Sequence, residues 1–152
     1  MSTGEVPVSK RIIWAVGNGV LGMIYYVAIY LYIIPVVFNY LAQQVSSGFP
    51  ELTTGQLAGF ALFFLGLSSA AAGLRGTIYN PILRAVSNLF GFFILVYYMN
   101  GGELSGTVAV EGARIGLFIN LSPIIYLVFA FITVPGIIIP FYDYYTREIP
   151  ET

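Results

Sequence analysis

Long stretches of this sequence contain no charged side chain. The first extends from Ile12 to Pro50 and the last from Ile115 to Tyr142, whereas a helix needs only about 20 apolar residues to cross a bilayer. Over the whole chain, 58% of the residues are hydrophobic and 9% are charged, against about 25% charged residues in soluble domains. A soluble domain of this size would leave much of that apolar surface in water. The pattern therefore predicts an all-α, polytopic integral membrane protein.

Breaks in the apolar pattern divide the chain into four predicted transmembrane helices. Glycine, proline and short polar stretches separate these helices, and three prolines, Pro123, Pro135 and Pro140, leave open whether the last helix is kinked or broken. The prediction is a four-helix transmembrane bundle in a single membrane domain, residues 12–145, between short cytoplasmic tails at 1–11 and 146–152. Its helices are expected near residues 12–41, 55–74, 81–99 and 114–142.

Basic residues are distributed unevenly between the two sides of this topology. One side holds most of them, and the other side holds Arg114 together with Glu51, Glu103 and Glu111. Cytoplasmic loops of membrane proteins carry an excess of lysine and arginine. We therefore expect a multi-pass protein of the cell membrane with both termini in the cytoplasm. The basic residues on the expected cytoplasmic side are Lys10, Arg11, Arg75, Arg84 and Arg147.

The absence of two residue types excludes several kinds of chemistry. The sequence contains no cysteine and no histidine, so it cannot form disulfides, use a thiol nucleophile or build a histidine-based zinc or haem site. Its net charge of −1 gives no electrostatic attraction to nucleic acid. It also shows no paired carboxylates within an apolar stretch and no serine with a histidine partner. We expect no cofactor, metal or catalytic residue. The sequence favours a function other than catalysis but leaves open whether the protein is an enzyme.

A few polar residues fall inside the predicted helices at similar depths. Asn88 lies roughly 10 Å from the expected cytoplasmic end of its helix, at 1.5 Å per residue. A polar group left unsatisfied in hydrocarbon costs several kcal/mol, so these side chains are expected to turn inward and bond one another. They either line a functional cavity or only hold neighbouring helices together. The predicted intramembrane polar cluster comprises Asn18, Ser68, Ser69, Ser87 and Asn88, with Arg84 at its mouth.

Arg84 is also the charged residue that lies clearly within a predicted span. Its side chain either extends to the membrane surface, as long basic side chains do, or pairs with Asp143 near the end of the last helix. An ionisable residue inside a membrane indicates a functional site. The sequence therefore makes Arg84 and Asp143 a candidate ion pair.

Small residues recur at helical spacing along the predicted helices. Helix association in lipid depends on close packing, which small side chains allow. We expect these positions to pack the helices of one chain together, with an interface between chains as the alternative. The predicted packing positions are Ala15, Gly19, Gly22, Gly59, Gly66, Gly73, Gly116 and Asn120.

Two functions are compatible with these features. The first is an accessory or structural subunit of a membrane complex, or a self-assembling membrane protein, whose partners are the lipid bilayer, other membrane subunits or copies of itself. The second is a small oligomeric channel or transporter. A hydrated path lined by Asn18, Asn88 and Arg84 would favour transport, and an outward-facing patch of glycine and alanine would favour assembly.

Overall fold

The computed structural model of the chain describes residues 8–42, 52–110 and 113–147, which form four long helices and one β-hairpin. The prediction of four long apolar helices is confirmed, because segments in all four are long and apolar enough to cross a membrane by length and composition. Helix α1 is α-helical over Val8–Tyr26 and Ile34–Ala42 and π-helical between them, over Val27–Ile33. Helix α2 is Thr54–Gly73 and helix α3 is Tyr79–Tyr98. Helix α4 is α-helical over Ser122–Val128 and Val134–Arg147 and π-helical between them, over Phe129–Thr133.

Local capping explains where α2 begins and how it is joined to α3. The Thr53 hydroxyl accepts a hydrogen bond from the Gln56 backbone N–H (3.3 Å), and the Gln56 side-chain oxygen accepts one from the Thr53 N–H (3.0 Å). This reciprocal pair satisfies two N–H groups that the first helical turn leaves free. After α2, Gly76 takes a positive φ of 87°, and the Asn80 side-chain amide donates to the Ala71 carbonyl. The chain thus reverses within residues 74–78.

Consecutive helices run antiparallel. Gly19 and Gly22 of α1 lie against Ser69 and Ser68 of α2, respectively. The rings of Phe63 in α2 and Phe90 in α3 are 4.3 Å apart, and those of Phe92 in α3 and Phe129 in α4 are 4.9 Å apart. Val8, Arg147 and the turn at 74–78 therefore share one end of the bundle, which we call the termini end. The opposite end carries the β-hairpin and is called the hairpin end.

The apolar core occupies the middle of the bundle and its half toward the hairpin end. Phe38, Phe64 and Leu95 are almost completely buried there, and Leu104 from the hairpin extends the same cluster. The buried hydrophobic residues of this core are Tyr26, Tyr30, Leu31, Ile34, Phe38, Phe64, Ile94, Leu95, Met99, Leu104 and Ile125. An apolar cavity of about 560 Å³ lies beside this core in the same half, with Leu31, Leu57 and Met99 among its lining residues.

The expected all-α fold is wrong in one segment, because a β-hairpin replaces the predicted start of the fourth helix at residue 114. Strand β1 (Glu103–Val110) pairs antiparallel with β2 (Ala113–Asn120), with Glu103 opposite Asn120. In β1, leucine and valine alternate with small or polar residues, a pattern that favours extended backbone. Helix α4 begins only at Ser122, whose backbone N–H donates to the Asn120 side-chain oxygen (2.8 Å).

Candidate functional site

The side chain of Asn88, on α3, contacts two other helices near the middle of the bundle. Its amide nitrogen lies 3.0 Å from the Gly136 carbonyl of α4, 3.3 Å from the Tyr26 hydroxyl of α1 and 3.0 Å from the Arg84 carbonyl of its own helix. Its oxygen accepts from the Tyr30 hydroxyl at 3.4 Å. Two amide hydrogens are shared among three acceptors. This one buried side chain therefore joins α1, α3 and α4.

The network continues into both π-helical segments. The hydroxyls of Tyr30 and Thr133 are 3.1 Å apart, and both side chains are completely buried. Tyr30 belongs to the π-helical part of α1 and Thr133 to that of α4. Single π-helical turns occur mostly within α-helices and often at functional sites. The two irregular turns thus meet at one point, beside Asn88.

A glycine allows Asn88 to lie this close to α4. A Cβ atom at Gly136 would be 2.5 Å from the Asn88 side-chain oxygen and 2.8 Å from its carboxamide carbon. Real Cβ contacts are not that short. Any side chain at this position would displace either the Asn88 carboxamide or α4 and break the contact between the Asn88 amide and the Gly136 carbonyl.

Toward the termini end, the helices separate and leave an interhelical cavity with two adjoining lobes. The inner lobe, about 450 Å³, includes Gly22, Tyr26, Ser68 and Asn88 in its walls. The outer lobe, about 460 Å³, includes Trp14, Arg75, Asn80 and Asp143. Both lobes are lined by Asn18, Ala72, Arg84 and Pro140. The cavity is open near the termini end and ends at Asn88, beyond which the apolar core begins.

The structure brings most of the predicted polar cluster to this cavity. Asn18, Ser68, Arg84, Ser87 and Asn88 all line the inner lobe. Their bonding differs: the Asn18 amide donates to the Trp14 carbonyl (2.8 Å) and the Ser87 hydroxyl to the Leu83 carbonyl (2.9 Å), each within its own helix. The Ser68 hydroxyl is buried and has no hydrogen-bond partner among the described residues.

Ser69 lies outside the cavity lining and packs against Gly19. This placement separates it from the other members of the predicted cluster. It serves the contact between α1 and α2, where a Cβ atom at Gly19 would lie within 2.9 Å of the Ser69 Cα atom.

Arg84 and Asp143 both line the outer lobe. Within the described part of the chain, no salt bridge joins their side chains, so the candidate pair shares a cavity without direct contact. The other arginine of this lobe, Arg75, lies with its guanidinium carbon 5.1 Å from the centre of the Trp14 ring. Such stacking on an indole face holds a guanidinium in place while its edge remains available for hydrogen bonds.

The predicted packing residues fall into three groups. Gly19 and Gly22 lie in the contact between α1 and α2, and a Cβ atom at Gly73 would be 4.0 Å from that of Ala15. Gly59 and Gly66 face outward, because a Cβ atom at either position would meet no neighbouring atom within 4 Å. Gly116 and Asn120 lie in β2, so the expectation that they pack a helix is wrong. Gly116 faces open space, and the Asn120 side chain accepts a hydrogen bond from the Ser122 N–H.

Four residues of the site were not predicted from the sequence: Tyr26, Tyr30, Thr133 and Gly136. Tyr26 and Tyr30 belong to a chain with 12 tyrosines, so nothing in the sequence distinguished them from tyrosines at a membrane surface. Thr133 and Gly136 lie beside Pro135, and that proline was the available signal of irregular helix geometry.

Within the described residues, no group of three or more aspartate and glutamate side chains could hold a metal ion. The arrangement instead offers hydrogen-bonding groups and two arginines around a space large enough for a small molecule. Comparison with models of known protein families, with curated proteins and with solved structures found no match.

Proposed function

We propose that the chain is a small integral membrane transport protein that binds a solute in its interhelical cavity. The observation that carries this proposal is the cavity itself, because Asn18, Arg84 and Asn88 line one continuous inner lobe. A shared hydrated space lined by these three residues would favour transport over a purely structural role. A volume of about 450 Å³ falls in the usual range for small-molecule sites.

The outer surface supports placement in a bilayer. Leu62 is 68% exposed, Phe131 75% and Tyr97 81%, although each belongs to a helix that packs against others. Such side chains are favourable against lipid and unfavourable in water. The polar groups of Asn88, Tyr30 and Thr133 are buried inside, where hydrogen bonds satisfy them in the absence of water.

A cavity that reaches only part of the way through the bundle suits a carrier better than an open channel. A channel needs a continuous polar or hydrated path, whereas Phe38, Phe64 and Leu95 are packed together between the cavity and the hairpin end. Transporters alternate between states open to either side, and their binding sites often include interrupted helices near the middle of the membrane. The π-helical turns at Tyr30 and Thr133 lie at the boundary between cavity and core, where such a rearrangement would occur.

The test uses single cysteines, since the natural sequence has none. Asn18→Cys places a thiol in both lobes. Gly17→Cys is the matched control, because Gly17 is the adjacent residue at nearly the same depth but faces open space outside the bundle. Thr133→Cys places a third thiol in the buried hydrogen-bond network beyond the inner lobe. Each variant is reconstituted in sealed vesicles and treated with a membrane-impermeant thiol reagent from one side at a time.

We expect the Asn18→Cys thiol to react from the side of the termini and the Gly17→Cys thiol to stay unreactive in lipid. We also expect slow reaction of the Thr133→Cys thiol from the hairpin side, as the cavity alternates between the two sides. Equal protection at positions 17 and 18 would show that the cavity holds no water and would contradict the proposal. Protection at position 133 from the hairpin side would indicate a fixed pocket and would contradict transport.

A role as an accessory or self-assembling subunit stays the second candidate. It is favoured by the outward-facing glycines Gly59 and Gly66, which leave α2 with a flat exposed surface, since small residues let helices of different subunits approach closely. Native mass spectrometry of the complex, extracted gently from its own membrane, tests this role. Unrelated subunits in the complex would support it, and a chain that is consistently monomeric would contradict it.

A further inference from the structure

We propose that the solute of this cavity is an amphiphilic oxyanion, a molecule with a phosphate or carboxylate group at one end and an apolar portion at the other. This inference rests on the proposed transport function and specifies its substrate class. It follows from the charges of the outer lobe and from the exposed apolar side chains of α1 and α4 that line the inner lobe.

The outer lobe has an excess of positive charge. Its charged side chains are Arg75, Arg84 and Asp143, and within the described residues neither arginine forms a salt bridge. A guanidinium group presents five N–H donors in a planar fork that matches the oxygens of a carboxylate or phosphate. Basic cavities between membrane helices on the cytoplasmic side are a known type of site for acidic headgroups. The acidic group of the solute therefore belongs beside Arg84, which lines both lobes.

Arg75 supplies the second contact for that acidic group. Its guanidinium carbon lies 5.1 Å from the centre of the Trp14 ring, and both residues line the outer lobe together with Arg84. Stacking on the indole reduces the entropy that the arginine side chain would lose on binding an anion. Asp143, in the same lobe, leaves one formal positive charge there, which a single acidic group of the solute offsets.

On one side, the inner lobe is lined by exposed and largely apolar side chains of α1 and α4. Leu21 and Tyr25 line it from α1 and Ile139 lines it from α4. All three side chains are exposed, with 67%, 47% and 56% of their surface accessible, respectively. The hydroxyl and amide groups at its base are hydrogen-bonded to protein, apart from the Ser68 hydroxyl. This lobe therefore favours an apolar chain over a second charged group.

The sequence provides its own reporter of binding, because Trp14 is the single tryptophan of the chain and lines the outer lobe. The purified chain in a neutral detergent is titrated with octyl phosphate while tryptophan fluorescence is recorded. Octyltrimethylammonium, with the same alkyl chain and the opposite charge, controls for partition into the micelle. Inorganic phosphate tests the acidic group alone.

We expect saturable change with octyl phosphate and none with octyltrimethylammonium. Arg84→Gln should weaken binding at least tenfold, which corresponds to about 1.4 kcal/mol, since it removes charge-assisted hydrogen bonds to the acidic group. Arg84→Lys should recover part of the affinity, because it keeps the charge and loses the planar fork. Lys10→Gln is the matched control: Lys10 is exposed at the termini end and outside the cavity lining.

A second arm distinguishes the source of the anion. Native mass spectrometry that finds phosphatidylglycerol retained by the natural chain and lost from Arg84→Gln would identify a lipid headgroup. Saturable binding of inorganic phosphate, with no retained lipid, would identify a soluble anion; either result supports the proposal. Equal binding of the cation and the anion, or an Arg84→Gln variant with unchanged affinity, would overturn it. Neither of these two results would alter the accessibility of the Asn18→Cys thiol. The proposed substrate class can therefore be wrong while the proposed transport function still holds.

Discussion

A single carboxamide, that of Asn88, fixes the relative positions of three helices. In water such hydrogen bonds would compete with solvent, but in a bilayer the alternative partner is absent. The measured contribution of side-chain hydrogen bonds in membrane proteins is still modest, about 0.6 kcal/mol on average. Asn88 makes several of them at once, to Tyr26, Tyr30 and the Gly136 carbonyl. Its network therefore holds the base of the cavity in one arrangement without making that arrangement irreversible.

The bond between the two π-helical turns can be measured with a double-mutant cycle. Tyr30→Phe and Thr133→Val each remove one hydroxyl of the 3.1 Å pair while keeping a similar volume. We expect the two changes to be non-additive, with a coupling free energy of about 0.6 kcal/mol and at most about 1.7 kcal/mol. The free energy of unfolding in mixed micelles of dodecyl maltoside and SDS gives the measurement.

Thr146→Val is the control for this cycle. Thr146 is exposed, and its hydroxyl donates to the Tyr142 carbonyl of its own helix. Combined with Tyr30→Phe, it should give additive effects, because the two sites share no partner. Additivity of the Tyr30 and Thr133 changes as well would show that their hydroxyls are not bonded to each other in the folded protein.

At the level of whole elements, the sequence predicts the helices better than their irregularities. Residues 27–33 and 129–133 are uniformly apolar apart from tyrosine and threonine, and a π-helical turn leaves no compositional mark on such a run. The hairpin was missed for a different reason. The alternation from Glu103 to Asn120 was less conspicuous than the uncharged run that follows Arg114, and apolar length alone cannot distinguish a strand from the first turns of a helix.

The antiparallel contact between α1 and α2 predicts different effects of alanine at two glycines of α1. A Cβ atom at Gly22 would lie 2.6 Å from the Ser68 hydroxyl oxygen and 2.7 Å from the Ser68 Cβ atom. We expect Gly22→Ala to force the helices apart and to reduce the free energy of unfolding by about 1–3 kcal/mol. Gly17→Ala meets open space and should be neutral or stabilising by up to about 1 kcal/mol, through helix propensity.

The free energy of unfolding of both glycine variants is measured in the same mixed micelles. The difference between the two values tests the contact. Ser68→Gly in the Gly22→Ala background removes the atoms that the new methyl group meets and should restore part of the lost stability. Equal stability of Gly22→Ala and Gly17→Ala would contradict the close contact between α1 and α2.

At the scale of the whole molecule, the described charged residues differ between the two ends. Arg75 and Arg84 lie at the termini end with the cavity, while Glu103 and Arg114 lie in the hairpin. The sequence alone indicated that Arg84 and Asn88 belong near one another, because helical spacing and polarity are visible in it. It could not indicate that α1 and α4 separate around them, because the width of a gap depends on packing between distant segments.

This arrangement predicts the orientation of the chain. Basic residues favour the cytoplasmic side, so the termini end and the mouth of the cavity should face the cytoplasm and the hairpin should face outward. Single cysteines at Ser9, Gly116 and Thr146 test this in intact cells with an impermeant thiol reagent. We expect Gly116→Cys to react at once, and Ser9→Cys and Thr146→Cys to react only after the membrane is opened.

Any other pattern of cysteine reactivity would point to a different topology. The reverse pattern would preserve the four crossings but would place Arg75 and Arg84 outside, so the cavity would admit solutes from the exterior. Reaction of Ser9→Cys and Thr146→Cys on opposite sides would contradict an even number of crossings and, with it, the bundle. Each helix is antiparallel to the next, with contacts between Gly22 and Ser68, between Phe63 and Phe90, and between Asn88 and Gly136. We therefore expect both ends of the described chain on the same side.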